Sequence, residues 1–576
     1  MKSIGKYHGL VNRNGMFCYF SIIFYISLVL PPGLLSQSAK GINNLNDQGK
    51  VLSLTEDGVV NHKCGFPQVL QTVLSQNKEL NKYLTQQIEL DSVYRSTSGH
   101  FIIHYDVTGP YAIPDYDRNQ NGTKDYLEFV SKSFDRAWKI EIDSLEFKPP
   151  PDSAGLYRNT YHVYCFPLGY LYPDNPFGST VLDFEIPSLT GLNYVTHIDL
   201  NVDFSFASYL NEDPIVRDSM AIAVTAAHEF NHALQCGYRL WPDNNYFYDI
   251  WFIESSATFM EEVVAPQVND YLNYLPWYFN RTSLPLDQSL RDLTDYGKVV
   301  VEIMLGKLYG ADITRKIWTN IQQERALPAM EKVLISEGTA LSREMVNLAT
   351  WLYYTGADRS IPGQFFPDAP LFPDPDFIPA DPILSTNQIV LQDSLPRLAF
   401  QWYVSPYQTP QSISALLEVS EGSSAANLSA VYIDMISNEY YQIPASTSFE
   451  IPFQSIPDYL PVAVVLTSSE AGLQSFRLLS RPQVAAGSSE IVVFPQPFVL
   501  SEHQAYLTFK NIPPLAQLFI FNSSGKHLQT LRNDSQLPYV YWDLTTNQGK
   551  TVGSGVYLYR VKTNNKEDNG KFIVIR

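Results

Sequence analysis

His228-Glu229-Phe230-Asn231-His232 sets two imidazoles four residues apart, with a carboxylate directly after the first, as an HExxH motif. On a helix, side chains at i and i+4 share a face, so both imidazoles can reach one metal ion while Glu229 stands beside it. Glu254 follows, the first acidic residue of the apolar segment that starts at Trp251-Phe252-Ile253. A carboxylate among Ile253, Ala257, Phe259 and Met260 is costly to bury unless it is paired or holds a metal. Two imidazoles and a carboxylate with one position open are the ligand set of a catalytic zinc rather than a closed structural one. That set supports hydrolysis. Zinc brings the pKa of bound water toward neutrality and polarises a carbonyl, and Glu229 takes the water proton and passes it to a leaving amine. The competing reading makes His228 and His232 satisfied core histidines and Glu254 a first-turn dipole partner.

The flanking sequence supplies the elements that must position these groups. Ser219 to Ala227 is small, apolar and helix-compatible, as a buried helix leading into the motif must be. Gly237 is expected just past the end of that helix, as a C-cap. A short loop from Trp241 to Asp249 precedes a second apolar helix that starts near Trp251. Upstream, Asn193 to Asn201 alternates as a strand does, and it is the expected edge for pairing with an extended peptide. His197 on that strand reads as a surface histidine rather than a further ligand.

HEFNH followed by WFIESSATFMEE resembles the gluzincin clan of zinc peptidases, and among these a family of secreted bacterial metalloproteases with an HExxH…ExxA layout. The similarity runs from about Cys64 to Thr319. It takes in Phe101-Ile102-Ile103-His104-Tyr105, the loop at Asp117, and Tyr296-Gly297-Lys298 opening another helix. The resemblance implies an α+β zincin-like metalloprotease domain with His228, His232 and Glu254 as zinc ligands and Glu229 as general base. It also implies Tyr296 as a hydrogen-bond donor to the oxyanion. One position departs from the pattern. Some gluzincins carry an acidic residue four places after the third ligand, where this chain has Thr258. Glu261, Glu262 or a backbone carbonyl is left to orient the imidazoles.

Asp117-Arg118-Asn119-Gln120-Asn121-Gly122-Thr123-Lys124-Asp125-Tyr126-Leu127-Glu128 fits D-x-[DN]-x-[DN]-G-x5-E. Asp117, Asn119, Asn121, Thr123, Asp125 and Glu128 are the expected ligands, and hard oxygen donors with a glycine at the sharp turn select calcium. Leu127, Val130, Phe134, Ala137 and Trp138 then mark one face of a helix. Pro110 and Pro114 exclude an ordinary incoming helix, so this is an EF-hand-like loop without the whole hand. The alternative is an Asx-rich turn capping that helix.

The 576 residues exceed one core and suggest three or four domains. A net charge of -19 argues against nucleic-acid binding and suits solubility outside a cell. Lys2, Lys6 and Arg13 precede an apolar run from Phe17 to Leu30, and small residues at Ser36, Ser38 and Ala39 mark a cleavage site. Residues 1–39 therefore read as a secretory signal, with an uncleaved anchor as the alternative and no membrane span once the signal is removed. Cys64, Cys165 and Cys236 remain; three cannot all pair, and Cys64 with Cys165 is the bridge to test.

Residues 40–95 form an extension or propeptide with polar helical stretches such as Gln76 to Leu90, and 96–358 form the catalytic part. Seven prolines in the 21 residues 362–382 place a stiff linker at 359–385. Short apolar runs such as Ser414 to Val419 and Leu460 to Leu466 mark a β-sandwich over 386–483. The segment 488–576 holds Ala516 to Lys526, Trp542-Asp543, Gly553 to Val561 and Gly570 to Arg576. It resembles the immunoglobulin-like C-terminal sorting domain of the type IX secretion system. That implies passage through the periplasm to the cell surface or beyond, with the secretion machinery as a partner. A plain accessory β-domain is the alternative. The expectation for the whole is a secreted zinc peptidase acting on protein or peptide substrates. A surface adhesin with a non-catalytic zinc site, or a cell-wall amidase or aminopeptidase, is the alternative.

Overall fold

The computed structural model describes residues 63–74 and 89–575 except 158, 187–191, 244–245, 383–387, 407–412, 420–426, 435–438, 445–447, 452–458, 471, 482–490, 495, 500–506, 514, 534–538 and 564–566. The expected signal at 1–39 and the stretch 76–88 lie outside the described residues.

The first half is a mixed sheet with helices on one face. The strands are β1 (Ser92–Arg95), β2 (Phe101–Tyr105), β3 (Tyr161–Cys165), β4 (Gly178–Glu185) and β5 (Tyr194–Leu200), in the order β1-β2-β3-β5-β4. β2, β3 and β5 run parallel, and the outer pairs β1–β2 and β4–β5 are antiparallel. The edge beside the helices is therefore β4. Asn193 to Asn201, expected at the edge, contains the interior strand β5. Its residues are buried on both faces except at His197, as an interior strand requires.

Helix α1 (Phe66–Leu74) packs on β4, and α2 (Asp125–Ala137) buries Leu127, Val130, Phe134 and Ala137. The motif helix α3 spans Pro214–Tyr238. Asp213 caps it by accepting from Ile215 N and Val216 N, with Pro214 at the first helical position. Gly237 lies inside its last turn instead of at the cap. Its reason is proximity: a Cβ there would sit 3.0 Å from Pro151 Cδ. Helix α4 (Ile250–Val264) lies against α3. After it come α5 (Leu275–Phe279), α6 (Leu293–Gly297), α7 (Val299–Tyr309), α8 (Ile313–Ile321), α9 (Ala326–Ser336) and α10 (Leu341–Tyr353).

The proline-rich stretch is packed rather than a free spacer. Phe366, Ala369 and Phe372 are buried in the first core, and β6 (Phe377–Pro379) pairs parallel with β8 (Ala399–Pro406). An edge strand needs few ladder donors, which is where proline is tolerated. Two sheets follow. One orders β11 (Glu439–Pro444), β10 (Leu428–Asp434), β13 (Tyr459–Leu466), β8 and β6. The other orders β12 (Ser448–Ile451), β9 (Ile413–Val419), β14 (Gln474–Arg481) and β7 (Gln388–Leu395). Both contribute to one apolar core. β13 is apolar on both faces because it faces two cores: Val462, Val464 and Leu466 fill the sandwich, while Ala463 and Val465 join the helical core. Trp402 Nε1 donates to Ala349 O at 3.1 Å, tying β8 to α10.

The C-terminal part has a core of its own around Phe509, Trp542 and Phe572. Its sheets hold β15 (Val492–Phe494), β17 (Leu507–Lys510) and β20 (Tyr539–Trp542), and β16 (Phe498–Val499), β22 (Glu567–Ile575), β21 (Gly555–Lys562), β18 (Gln517–Asn522) and β19 (His527–Arg532). Among the described residues no helix is long and apolar enough to cross a membrane.

Candidate metal centre

α3 places His228 and His232 one turn apart, and α4 brings Glu254 across from them. The two Nε2 atoms are 3.0 Å apart. Glu254 Oε2 lies 3.3 Å from His228 Nε2, and Oε1 lies 3.6 Å from His232 Nε2. A fourth donor, Cys64 Sγ, joins them: the four ligand atoms lie within 4.8 Å of one another, and all four residues are buried.

The surrounding hydrogen bonds decide what this cluster can hold. His228 Nδ1 is 2.7 Å from Glu261 Oε1, a carboxylate oxygen, so Nδ1 carries the proton. His232 Nδ1 is 2.8 Å from Gln235 Oε1. Gln235 Nε2 donates to Asn231 Oδ1 at 2.7 Å and to Ile253 O at 3.1 Å, which fixes Oε1 as the acceptor. Both Nε2 atoms then point into the cluster, beside the buried Glu254 carboxylate. A divalent cation would take the place of the protons that otherwise hold these groups together. A metal ion fits all four donors at once, and the outer partners hold the rings in the ligating tautomer. Burial opposes ionisation of Glu254, but the two imidazoles hold it down to about 2.

The order of partners answers the question left by Thr258. Glu261, not Glu262, orients His228. The Thr258 hydroxyl donates to the Glu254 carbonyl within its own helix at 2.9 Å. Burial pushes Glu262 up to about 8, and its Oε2 has no partner. Glu261 also pairs with Lys63, whose Nζ reaches Asp270 Oδ2 at 2.6 Å. The Tyr274 and Tyr209 hydroxyls donate to Asp270 at 2.9 and 3.1 Å.

Glu229 faces β4, where Thr180 Oγ1 stands 2.8 Å from both its carbonyl oxygen and its Oε2. The strand comes this close because Gly178 has no side chain: a Cβ there would sit 2.5 Å from Thr225 Cγ2 and 3.0 Å from Glu229 Cγ. Tyr296, at the end of α6, lies parallel to His228 with ring centroids 5.7 Å apart. Its buried hydroxyl has no hydrogen-bond partner, and burial with the Glu254 charge nearby pushes its pKa far up, so it stays a donor.

The 117–128 loop gathers Asp117, Asn119, Asn121 and Glu128. Asn119 Nδ2 donates to Glu128 Oε2 at 2.9 Å, and Asn121 Nδ2 donates to Glu128 Oε1 at 2.5 Å. Asp117 accepts from the backbone of Asn121 and Gly122. Asp125 turns away to accept from Arg118 N at 2.9 Å, and Thr123 meets the loop through its N–H on Asn121 Oδ1 at 2.8 Å.

His197 stands on the opposite sheet face, 2.5 Å from Asp183 and 3.4 Å from Asp199, in a cavity of about 530 Å³ that also takes in His162 and Tyr164. Cys64, Cys165 and Cys236 are all free and buried, so no Cys64–Cys165 bridge forms. Cys64 and its neighbour Lys63 are the site residues that sequence reading passed over.

No protein-family profile matches this chain, and no curated protein matches it. Among solved structures the chain is similar in part to PorZ, a surface component of the type IX secretion system of Porphyromonas gingivalis. The identity is 24%, over 20% of this chain and 15% of that one, with a TM-score of 0.15. It is also similar in part to dimeric latent PorU from the same organism, at 15% identity over 33% of this chain and 20% of that one, with a TM-score of 0.13. The chain thus spans a fifth or less of either protein.

Metal binding here must displace protons. Burial lowers the pKa of His228, but hydrogen bonds to Glu254 and Glu261 outweigh it and raise the pKa to about 9. Burial keeps the Cys64 thiol protonated. Without metal, the raised His228 pKa stabilises the fold fully below its ordinary value of 6.5, and that contribution fades as pH rises through about 9. Titrating metal-free protein with a divalent ion at pH 7 is expected to release protons, read by calorimetry in buffers of different ionisation enthalpy. Heats that do not depend on the buffer would refute this.

Proposed function

We propose that this chain is a secreted zinc-dependent peptidase of the zincin kind, with Glu229 as the general base. The observation that carries the reading is Glu229 itself. A structural metal needs no base, yet a buried carboxylate flanks the ligand cluster and is steadied by Thr180. His228, His232 and Glu254 would hold the zinc, which when bound supplies Lewis acidity and lowers the pKa of water. With Thr180 beside its Oε2, Glu229 would take a proton from water and return it to the leaving amine. The unpartnered Tyr296 hydroxyl is a preformed donor for charge that develops on the scissile carbonyl oxygen. The side of edge strand β4 away from β5 suits an extended peptide added by backbone pairing.

The 117–128 loop reads as a calcium site with a structural role, its carboxamides turning their oxygens inward when the ion binds and Asp125 acting through water. The 488–576 sandwich reads as a type IX sorting domain. Among the described residues it meets the helical part where Arg343 Nη2 donates to Asp543 O at 2.7 Å and where Ala340 joins its core.

Glu229→Gln is expected to keep zinc, by metal analysis, and to lose peptide hydrolysis by about 10²–10⁴-fold. Near-normal turnover would move the chemistry elsewhere. Calcium is expected to raise the melting temperature, because it binds only the folded loop. Equal midpoints with calcium and with a calcium-selective chelator would favour the plain turn. Deleting 488–576 is expected to leave the purified protein hydrolytically intact while it accumulates in the periplasm of its native host. Normal delivery of the truncated chain to the surface would defeat the sorting role.

A further inference from the structure

We infer that Lys63-Cys64-Gly65-Phe66 is a built-in cap, with the Cys64 thiolate taking the metal position that hydrolysis needs for water. The inference rests on the zinc-peptidase reading and concerns how that site is kept closed. Three protein ligands leave a zinc ion open, whereas four close it. Cys64 Sγ lies with His228, His232 and Glu254 as the fourth donor.

Its segment also occupies the strand edge a substrate would use. Cys64 bridges Gly178 in parallel, Gly65 N donates to Gly178 O at 2.9 Å, and Phe177 N donates to Lys63 O at 3.0 Å. β4 has β5 on one side only, so residues 63–65 sit where an extended peptide would add. Every residue of the run is held. Lys63 pairs with Glu261, which orients His228, and with Asp270. Gly65 allows the approach, since a Cβ there would lie 2.8 Å from Ser179 Cβ. Phe66 stacks on His232 with centroids 4.4 Å apart, and its N–H donates to Cys64 Sγ at 3.2 Å.

A purely structural four-ligand site would explain Cys64. It would not explain Glu229 or the unpartnered Tyr296 hydroxyl beside it, nor a ligand delivered on a segment that only borders the sheet. Opening is a ligand exchange without redox change. With a metal bound, Cys64 would leave as the thiol with a proton from solvent, and His228, His232 and Glu254 would keep the ion with the fourth position free for water.

Cobalt(II) substitution of the full chain tests this through the thiolate-to-cobalt charge-transfer band in the near ultraviolet. The expected result is a band in the unaltered chain and none in Cys64→Ala, with equal cobalt content. Azide should then perturb the cobalt spectrum of the variant alone. Gly65→Ala, which must push the run off β4, should weaken the band and let azide in. If the cap is closed ~99% of the time, its loss should raise peptide hydrolysis by about 100-fold. Cobalt bound without a band, or azide entering both proteins equally, would overturn the cap. Loss of cobalt from Cys64→Ala would overturn it too, by making Cys64 an essential structural ligand. An azide-accessible Cys64→Ala that hydrolyses no peptide would leave the cap standing and sink the peptidase reading. Absence of cobalt from both proteins would sink the metal site itself.

Discussion

Two imidazoles and a carboxylate, buried between two helices, are the constraint around which the rest of the structure is arranged. Glu254 is buried with the two imidazoles at 3.3 and 3.6 Å, and a shared cation would satisfy all three groups at once. The layers outside it follow from that need. Glu261 and Gln235 fix which nitrogen of each imidazole carries the proton. Asn231 and Ser256 in turn fix Gln235, with Glu141 behind Asn231 at 2.9 Å and Trp318 Nε1 behind Ser256 at 3.1 Å. Each group is aimed by the one behind it, so the geometry at the centre is set by packing several side chains away.

The helical half of this arrangement is legible in the sequence because it is local. His228, Glu229 and His232 are related by one helical turn, and Glu254 stands out as the first charge in an apolar run. The range Ile313–Ile321 follows from apolar periodicity, and Val299–Tyr309 reads as a helix from a long, nearly continuous apolar run. The partners are less legible because they are tertiary. Lys63 and Glu261 are 198 residues apart in sequence, and no periodicity links them. Gly237 resembles a C-cap by position, but a close approach by Pro151 is its physical reason. The edge strand was misplaced for a similar cause: alternation marks β5 as a strand and says nothing of its place in the sheet order.

The β half divides the same way. Apolar runs locate β9 and β13, and a continuous run such as Leu460 to Leu466 marks a strand buried on both sides. What covers the second side could not be read locally. It is α10, through Trp402 and Ala349, and this makes the first sandwich a wall of the helical core rather than an appendage. Prolines at 362–382 argue against regular structure only if aromatic neighbours are ignored. Phe366 and Phe372 anchor that stretch to the same core.

The ion pairs at Lys63 bear on whether the centre can outlast its cap. Removing one partner of a buried pair typically costs about 3–5 kcal/mol, because a charge is left uncompensated. Here the two carboxylates are not left alone. Glu261 keeps the His228 N–H on its other oxygen, and Asp270 keeps the hydroxyls of Tyr274 and Tyr209. The groups that aim the metal ligands are therefore satisfied from within the helical half, and Lys63 adds to them from outside. Phe66 on His232 behaves alike: its departure bares a ring face, while Gln235 still holds that ring by Nδ1. A run that reaches the centre through Lys63, Cys64 and Phe66, yet is required by none of the bonds that shape it, is built to come and go.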